Sequence, residues 1–336
     1  MALLTPPDIL PEAMRFLVRG LFTLKEGEAD RDELIDLVAP PGLVEAMRPL
    51  GTEVALDEAD EEAPAKAGQP RAGGNLIANH SLDALRMLGV VEQDSGRVRV
   101  ADAVARRWSR PADVAPRAFR DFLLDNIFAI EEGESVPKRL DDTADLLRAL
   151  EILYTTENPL WPFDRFEAAK GSVRGQRSFR ETQIAVLGPD QDTWPVRNAT
   201  RWTAFRRWAA YLGLARQVGS TGIIADASQA LAVRLSGLPS GSFDIADFVS
   251  RCAEALPLLD GGVLQSRHDR ERTGAAEVMS PALSMSMAQL EAEEMVTLDK
   301  RSDTGVRILR LRADRSRDRL VTTVEWVREA REGGTA

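Results

Sequence analysis

A helix that ends at a leucine-glycine pair and then leads into a short hairpin is the pattern that most constrains this chain. It first occurs in residues 75–108, where Leu82, Leu85 and Leu88 recur at helical spacing. Gly89 follows as a typical C-terminal cap, and VVEQDSGRVRVA predicts two strands around a polar turn. Valines alternate with charged residues in these strands, so one face of the hairpin can pack on the helix. The segment is therefore expected to fold as a small helix-and-hairpin module.

The same order of elements recurs twice further along the chain. In the second copy Leu212 and Gly213 take the places of Leu88 and Gly89, and in the third copy Glu294 stands where the glycine is expected. Each copy begins with further amphipathic helices, and three helices followed by a hairpin are typical of a winged helix. We therefore predict an α+β fold that is mainly α with small β-hairpins, built from three tandem winged-helix modules joined by helices.

The module boundaries are predicted from this repeat. They are module 1 at residues 1–110, with an acidic disordered insertion at 51–74; a helical connector at 111–140; module 2 at 141–238; module 3 at 239–314; and a C-terminal helix and tail at 315–336. The insertion is rich in Asp, Glu, Ala, Pro and Gly and poor in large apolar residues, a composition that favours disorder.

The third copy predicts its own hairpin around the turn sequence KRSDTG. Val296 and Leu298 mark the first strand, and Val306, Ile308 and Leu311 mark the second.

Composition and charge exclude several classes of protein. The chain has 336 residues, 44% of them hydrophobic, and a net charge of −10, which argues against a general DNA coat. The single cysteine, Cys252, excludes an internal disulfide and is expected to be a buried apolar residue. The N-terminus lacks a secretory signal pattern and no window is apolar enough for a membrane span, so we expect a cytoplasmic protein without membrane contact.

Basic residues outnumber acidic ones in the middle of the chain. Residues 161–216 carry ten Lys or Arg and five Asp or Glu, whereas the segments on either side are acidic overall. In the third helix of module 2, the spacing buries Trp202, Phe205, Trp208 and Leu212. The predicted DNA-binding residues are Arg201, Thr203, Arg206 and Arg207 in this helix and Lys170, Arg174, Arg177 and Arg180 before it. The alternative is a solvated face, or ion pairs with the acidic first module.

The corresponding helices of the outer modules carry fewer cations. They present Asn79, His80, Asp83 and Arg86 in module 1, and Ser286, Gln289 and Glu293 in module 3. Since Asp83 would repel phosphate, we expect these helices to face protein partners.

Signatures of catalysis are missing from the sequence. It has no GxxxxGK loop, no GxSxG elbow and no glycine-rich dinucleotide turn. His80 and His268 lie far apart in sequence, which disfavours a metal pair. The acidic groups Glu131-Glu132-Glu134 and Asp141-Asp142 are expected to be solvated turns, and Glu167 with Lys170 has the wrong spacing for a nuclease site. We predict no enzymatic activity, no metal and no cofactor.

The segments RFLVRGLFTLKEGEADRDELIDLVAPPGL and LDALRMLGVVEQDSGRV, with the acidic insertion between them, resemble the DpdG-type accessory proteins of bacterial operons. These operons insert 7-deazaguanine into DNA and use it in phage defence. The resemblance implies a role in a DNA-modification or restriction complex, with protein partners from the same operon, and it assigns no functional residues. The architecture also resembles the acidic winged-helix accessory subunits of bacterial condensin-like complexes, which bind a kleisin.

The sequence thus predicts a noncatalytic accessory protein of a defence or DNA-modification complex. Its central module would bind duplex DNA and its outer modules would bind proteins. Two alternatives stay open, a pure protein-interaction adaptor and an operator-binding transcriptional regulator, and no particular oligomeric state is predicted.

Overall fold

A computed structural model describes most of the chain. The described residues are 2–25, 27–39, 73–130, 137–155, 157–167, 177–265, 278–301, 305–312, 315–316 and 318–327. The chain divides into two compact units, one made of Asp8–Pro116 and the other of Ala2–Pro7 with Arg117–Ala336. Helices predominate and the sheets are small, which confirms the predicted α+β class.

The first unit contains four α-helices, a short 3-10 helix at Pro111–Asp113 and three strands among its described residues. The α-helices and strands are named in chain order. They are α1 (Pro11–Lys25), β1 (Glu28–Asp30), α2 (Arg31–Val38), α3 (Gly73–Met87), β2 (Val91–Asp94), β3 (Arg97–Val100) and α4 (Asp102–Ala105). The strands form an antiparallel sheet in the order β1-β3-β2. The predicted hairpin is confirmed, and its Val91, Val98 and Val100 are buried. Of the predicted insertion at 51–74, all but Gly73 and Gly74 lies outside the described residues.

The second unit holds the remaining α-helices and strands, together with a short 3-10 helix at Gln191–Thr193. They are α5 (Pro116–Ile127), α6 (Leu140–Tyr154), β4 (Phe163–Arg165), β5 (Arg177–Ser178), α7 (Phe179–Leu187), α8 (Ala199–Tyr211), β6 (Ala215–Val218), β7 (Gly222–Ala225), α9 (Ser228–Arg234), β8 (Gly241–Asp244), α10 (Ile245–Ala255), α11 (Pro281–Ala292), β9 (Val296–Asp299), β10 (Arg307–Leu309), β11 (Arg319–Val321) and β12 (Thr323–Trp326). Three sheets have the orders β5-β4-β7-β6, β8-β12-β9 and β10-β11. Pairs are antiparallel except β4 with β5.

The three predicted helix stops share one backbone conformation. Gly89 has φ 65°, Gly213 has φ 73° and Glu294 has φ 59°, so the glutamate adopts the left-handed conformation that glycine adopts in the other copies. The next residue donates its N–H to a carbonyl five positions back: Val90 to Leu85 at 2.8 Å, Leu214 to Ala209 at 2.9 Å and Met295 to Leu290 at 2.9 Å. The repeat inferred from sequence is therefore also a repeat of local structure at these ends.

The predicted hairpin of the third copy is wrong. Strand β9 pairs with β12, placing Val296 opposite Trp326 and Leu298 opposite Val324, while β10 pairs with β11. All four of these apolar side chains are buried. The strand that pairs with β9 therefore comes from further along the chain than the turn pattern indicated.

The predicted C-terminal helix is also wrong over its described part. Residues 319–321 and 323–326 are strands, whose sequence LVTTVEW is rich in β-branched residues. Alternate side chains Val324 and Trp326 are buried in the sheet formed with β8 and β9. Residues 328–336 lie outside the described residues.

Candidate nucleic-acid interface

Helix α8 is the element in which the sequence places half of the DNA-binding candidates. Asn198 caps it, because its side-chain oxygen accepts a hydrogen bond from the Arg201 N–H at 2.9 Å. Trp202 and Phe205 pack on Phe179 of α7, with ring centroids 4.8 and 5.4 Å apart. Trp208 and Leu212 are buried as well, so the predicted buried face of α8 is confirmed.

The segment between α7 and α8 is held by a side chain that the sequence analysis did not single out. The amide of buried Gln183 donates to the Val196 carbonyl at 2.8 Å and accepts from the Val196 N–H at 3.2 Å. Trp194 donates its indole N–H to the Gly188 carbonyl at 3.0 Å. These bonds fix the chain just before α8 begins. The sequence feature that could have indicated this contact is a polar residue, Gln183, at a core-facing position of α7.

The outer face of α8 carries its four candidate residues at different depths. Thr203 and Arg207 are exposed, whereas Arg201 and Arg206 are half-buried. The Thr203 hydroxyl donates to the Ala199 carbonyl at 3.1 Å, within its own helix. Arg207 is therefore the most accessible cation of this set.

Arg206 contacts the hairpin that follows α8. Its Nη1 donates to the carbonyl of Thr221, in the turn between β6 and β7. Burial lowers the pKa of Arg206, and the neighbouring Arg207 lowers it further. Much of the Arg206 side chain is thus used to hold the hairpin turn near α8.

Arg201 lies near a largely buried carboxylate of α6. Asp145 accepts hydrogen bonds from the N–H groups of Leu4 at 2.7 Å and Leu146 at 2.8 Å. Burial raises the pKa of Asp145, and the positive charge of Arg201 partly offsets this effect. Arg201 is thus close enough to Asp145 for the two charges to attract each other.

The candidates before α8 are not brought together with it by any described contact. Arg180, on α7, pairs with Glu167 at 3.1 Å and lies over the ring of Trp194 at 5.8 Å. Arg177 lies in β5, but its side chain is outside the described part, as are Lys170 and Arg174.

In module 3, the helix expected to present Ser286, Gln289 and Glu293 is α11, and it is largely buried. Ser284 and Ser286 are fully buried, so the prediction that Ser286 faces outward is wrong. The Ser284 hydroxyl accepts from Arg310 N–H at 3.1 Å. Core packing on more than one side of α11 hides what the sequence alone presents as a polar stripe.

In module 1, the helix expected to present Asn79, His80, Asp83 and Arg86 is α3. Asn79 accepts a hydrogen bond from Arg31, Asp83 pairs with Arg86 at 3.4 Å, and Nδ1 of His80 lies 4.0 Å from Asp8. The candidates on α3 are thus partly engaged within the first unit.

Groups with catalytic or metal-binding potential are dispersed in the described part of the chain. No three His, Cys, Asp or Glu side chains there could hold a metal ion together. No described helix is long and apolar enough to cross a membrane. Cys252 is fully buried, as predicted, and burial raises the pKa of its thiol. His268, Lys170 and the group Glu131-Glu132-Glu134 lie outside the described residues, and Asp141-Asp142 form the first turn of α6.

A cavity of about 690 Å³ lies beside α10. Its lining combines apolar side chains such as Val249 and Met279 with Glu254, Asp260 and Arg307, and it includes none of the predicted DNA-binding residues.

Comparison with known proteins places the chain in a family. Residues 1–304 match a family model described as DpdG-like. Searches of curated proteins and of solved structures find no match. Since the family model covers nearly the whole chain, the protein belongs to the DpdG-like family.

Proposed function

We propose that this protein is a noncatalytic tandem winged-helix accessory subunit of a bacterial, cytoplasmic DNA-modification and defence complex. In this proposal the central module contacts duplex DNA and the outer modules bind proteins from the same operon. The DpdG-like family indicates the DNA-modification operon, and the noncatalytic assignment follows from the lack of a catalytic motif in the sequence.

The observation that carries the DNA contact is the outer face of α8. This helix buries both of its tryptophans and its phenylalanine. It leaves Arg207 and Thr203 exposed, with Arg201 half-buried beside them. The β6–β7 hairpin follows at once and is held near α8 by Arg206. A helix and an adjacent hairpin of this kind could contact the groove and the phosphates of one duplex together.

A titration of duplex DNA at several salt concentrations, followed by fluorescence anisotropy, tests the proposal. Each phosphate contact should contribute about 0.9 to the slope of log K against log salt, or about eightfold in affinity at 0.1 M salt. Arg201→Ala/Arg207→Ala should therefore reduce the slope by about 1 to 2 and weaken binding markedly. Arg251→Ala, which removes an exposed cation of α10, serves as the charge control.

Two results would contradict a DNA contact by α8. One is wild-type protein without salt-dependent binding. The other is a double variant whose slope matches that of Arg251→Ala.

A pure protein adaptor is the second candidate, and the contacts of the arginines favour it. The Thr221 carbonyl occupies an N–H donor of Arg206. Carboxylates near Arg201 and Arg180 offset part of the attraction that these cations would exert on phosphate. The first unit, in turn, exposes large apolar side chains that a protein partner could cover. They are Phe16 at 47%, Leu37 at 44% and Leu76 at 42% exposure.

Co-expression with the products of neighbouring genes tests the adaptor. Phe16→Asp/Leu37→Asp should abolish copurification of a partner, whereas Leu160→Asp, at an apolar residue of similar exposure in the second unit, should keep it. Equal recovery with both variants would exclude the first-unit surface as the contact.

A further inference from the structure

The β6–β7 hairpin is held at both of its ends. At the turn, the Thr221 carbonyl accepts from Arg206 of α8. At the open end, the two strands are connected by Arg216 of β6, whose Nε donates to Asp226 just after β7 at 2.7 Å. Asp226 is buried and also accepts a hydrogen bond from the N–H of Ser228, the first residue of α9, at 2.9 Å. The hairpin is thus fixed by polar contacts from outside its own ladder.

Helix α11 supplies further contacts to the same open end. Nη2 of Arg216 donates to Glu293, at the C-terminal end of α11, at 2.9 Å. The hydroxyl of Ser286 accepts from the Ala227 N–H at 2.8 Å and donates to the Ala282 carbonyl at 2.8 Å. Ser286 and Ala227 are both fully buried, so no solvent can replace this bond.

We propose that α11 is a positioning element for the central module, in which Ser286 and Glu293 hold the β6–β7 hairpin in the orientation needed for α8 and the hairpin to contact one DNA duplex. Module 3 then supports the DNA-binding module with the helix that would be its own candidate recognition helix. This inference rests on the proposed DNA contact of α8, although its structural half can be measured without DNA.

The residues of α11 offer closely matched controls. Ser286→Ala removes the partner of Ala227, whereas Ser284→Ala changes an equally buried serine that bonds instead to Arg310 near β10. Glu293→Gln removes the charge facing Arg216. Glu291→Gln removes an equal charge two residues earlier in the chain, where Glu291 pairs with Arg319 at 2.6 Å.

Two measurements on the full chain are needed, hydrogen exchange of residues 213–228 and anisotropy titration of duplex DNA. When a buried N–H loses its acceptor, the segment around it should open locally about tenfold more often. Ser286→Ala should therefore raise the exchange rate of this segment by about that factor. A part-exposed ion pair is weaker, and Glu293→Gln should change exchange about threefold. Both variants should bind DNA more weakly than their controls, by about threefold to tenfold.

Comparison with the control variants shows which results would contradict the positioning role. If Ser284→Ala and Glu291→Gln alter hairpin exchange and DNA affinity as much as Ser286→Ala and Glu293→Gln, the effect is general destabilisation and the positioning role is refuted. The positioning role is also refuted if the wild type binds DNA and both Ser286→Ala and Glu293→Gln bind it with the same affinity. If the wild type shows no salt-dependent binding, the proposed function fails, and the exchange comparison alone decides whether α11 holds the hairpin.

Discussion

Replacing Arg234 by alanine should destabilise the second unit, because this residue joins three helices. From α9, its Nη1 contacts Asp125 and lies 3.5 Å from Asp121, both on α5. Its Nε donates to the Ala255 carbonyl at the end of α10, at 3.2 Å. The guanidinium thereby connects the predicted connector, the central module and module 3.

The expected loss follows from burial and geometry. The Arg234 side chain is 23% exposed and the two carboxylates 28% and 38%, so solvent screens the ion pairs, which together contribute about 1 kcal/mol. The bond to the Ala255 carbonyl adds about 1 kcal/mol. Repulsion between Asp121 and Asp125, four residues apart on one helix, adds about 0.3 kcal/mol when the cation is removed. The free energy of unfolding should fall by about 2 kcal/mol.

Urea unfolding followed by tryptophan fluorescence reports on this unit, since it contains five of the six tryptophans. With a slope of about 2 to 3 kcal/mol per M, the midpoint of Arg234→Ala should drop by about 0.7 to 1 M. Arg301 also contacts two carboxylates, Asp299 at 2.9 Å and Glu325 at 2.5 Å, but its side chain is 51% exposed. Arg301→Ala should therefore shift the midpoint much less. Equal shifts for the two variants would refute the reasoning from burial.

Three further predictions concern single backbone or side-chain positions. Gly213→Ala should lower the free energy of unfolding by about 3 kcal/mol, because φ is +73° and the new Cβ would lie 2.9 Å from the Ala230 nitrogen. Gly219→Ala, at φ +62° with open space around the new Cβ, should lower it by about 1 kcal/mol. The urea midpoints of the two variants test this difference. Glu294→Gly should stabilise the protein by about 1 kcal/mol in the same assay, since it relieves a left-handed φ of 59°, and a lower midpoint would contradict this. The Asp145 carboxyl has a raised pKa when folded, so its contribution to stability is complete below its ordinary value of 3.8 and is lost as the pH rises through the folded pKa. As the pH rises above 3.8, the stability of Asp145→Asn should therefore fall less than that of wild type, and parallel curves of stability against pH would contradict the assignment.

Much of the candidate site could be predicted from local sequence. Trp202, Phe205 and Trp208 recur at helical spacing with polar residues between them, so periodicity alone identified the buried face of α8. It could not place the arginines, because the depth of a long side chain depends on what lies opposite. Arg206 reaches a hairpin turn fifteen residues away, and Arg201 lies near Asp145 of another helix.

The three helix stops were determined by the sequence, since the end of a helix is a short-range feature. Even Glu294, which breaks the leucine-glycine pattern, has the predicted place and the left-handed backbone of Gly89 and Gly213. Pairing in the third copy was decided only by tertiary structure. The backbone groups of β9 need a neighbouring strand for their hydrogen bonds, and β12, from beyond the adjacent turn, is that strand.

The sequence by itself thus determined the helix ends at Gly89, Gly213 and Glu294 and the hairpins that follow the two glycines, because hydrogen bonds within a few residues set them. The tertiary structure alone decided that α11 is largely buried, that Glu293 contacts the β6–β7 hairpin and that Ser286 bonds to the segment just after it. The physical reason is that a serine or glutamate on a helix is compatible with solvent or with a buried partner. Which of the two it meets depends on elements distant in the chain.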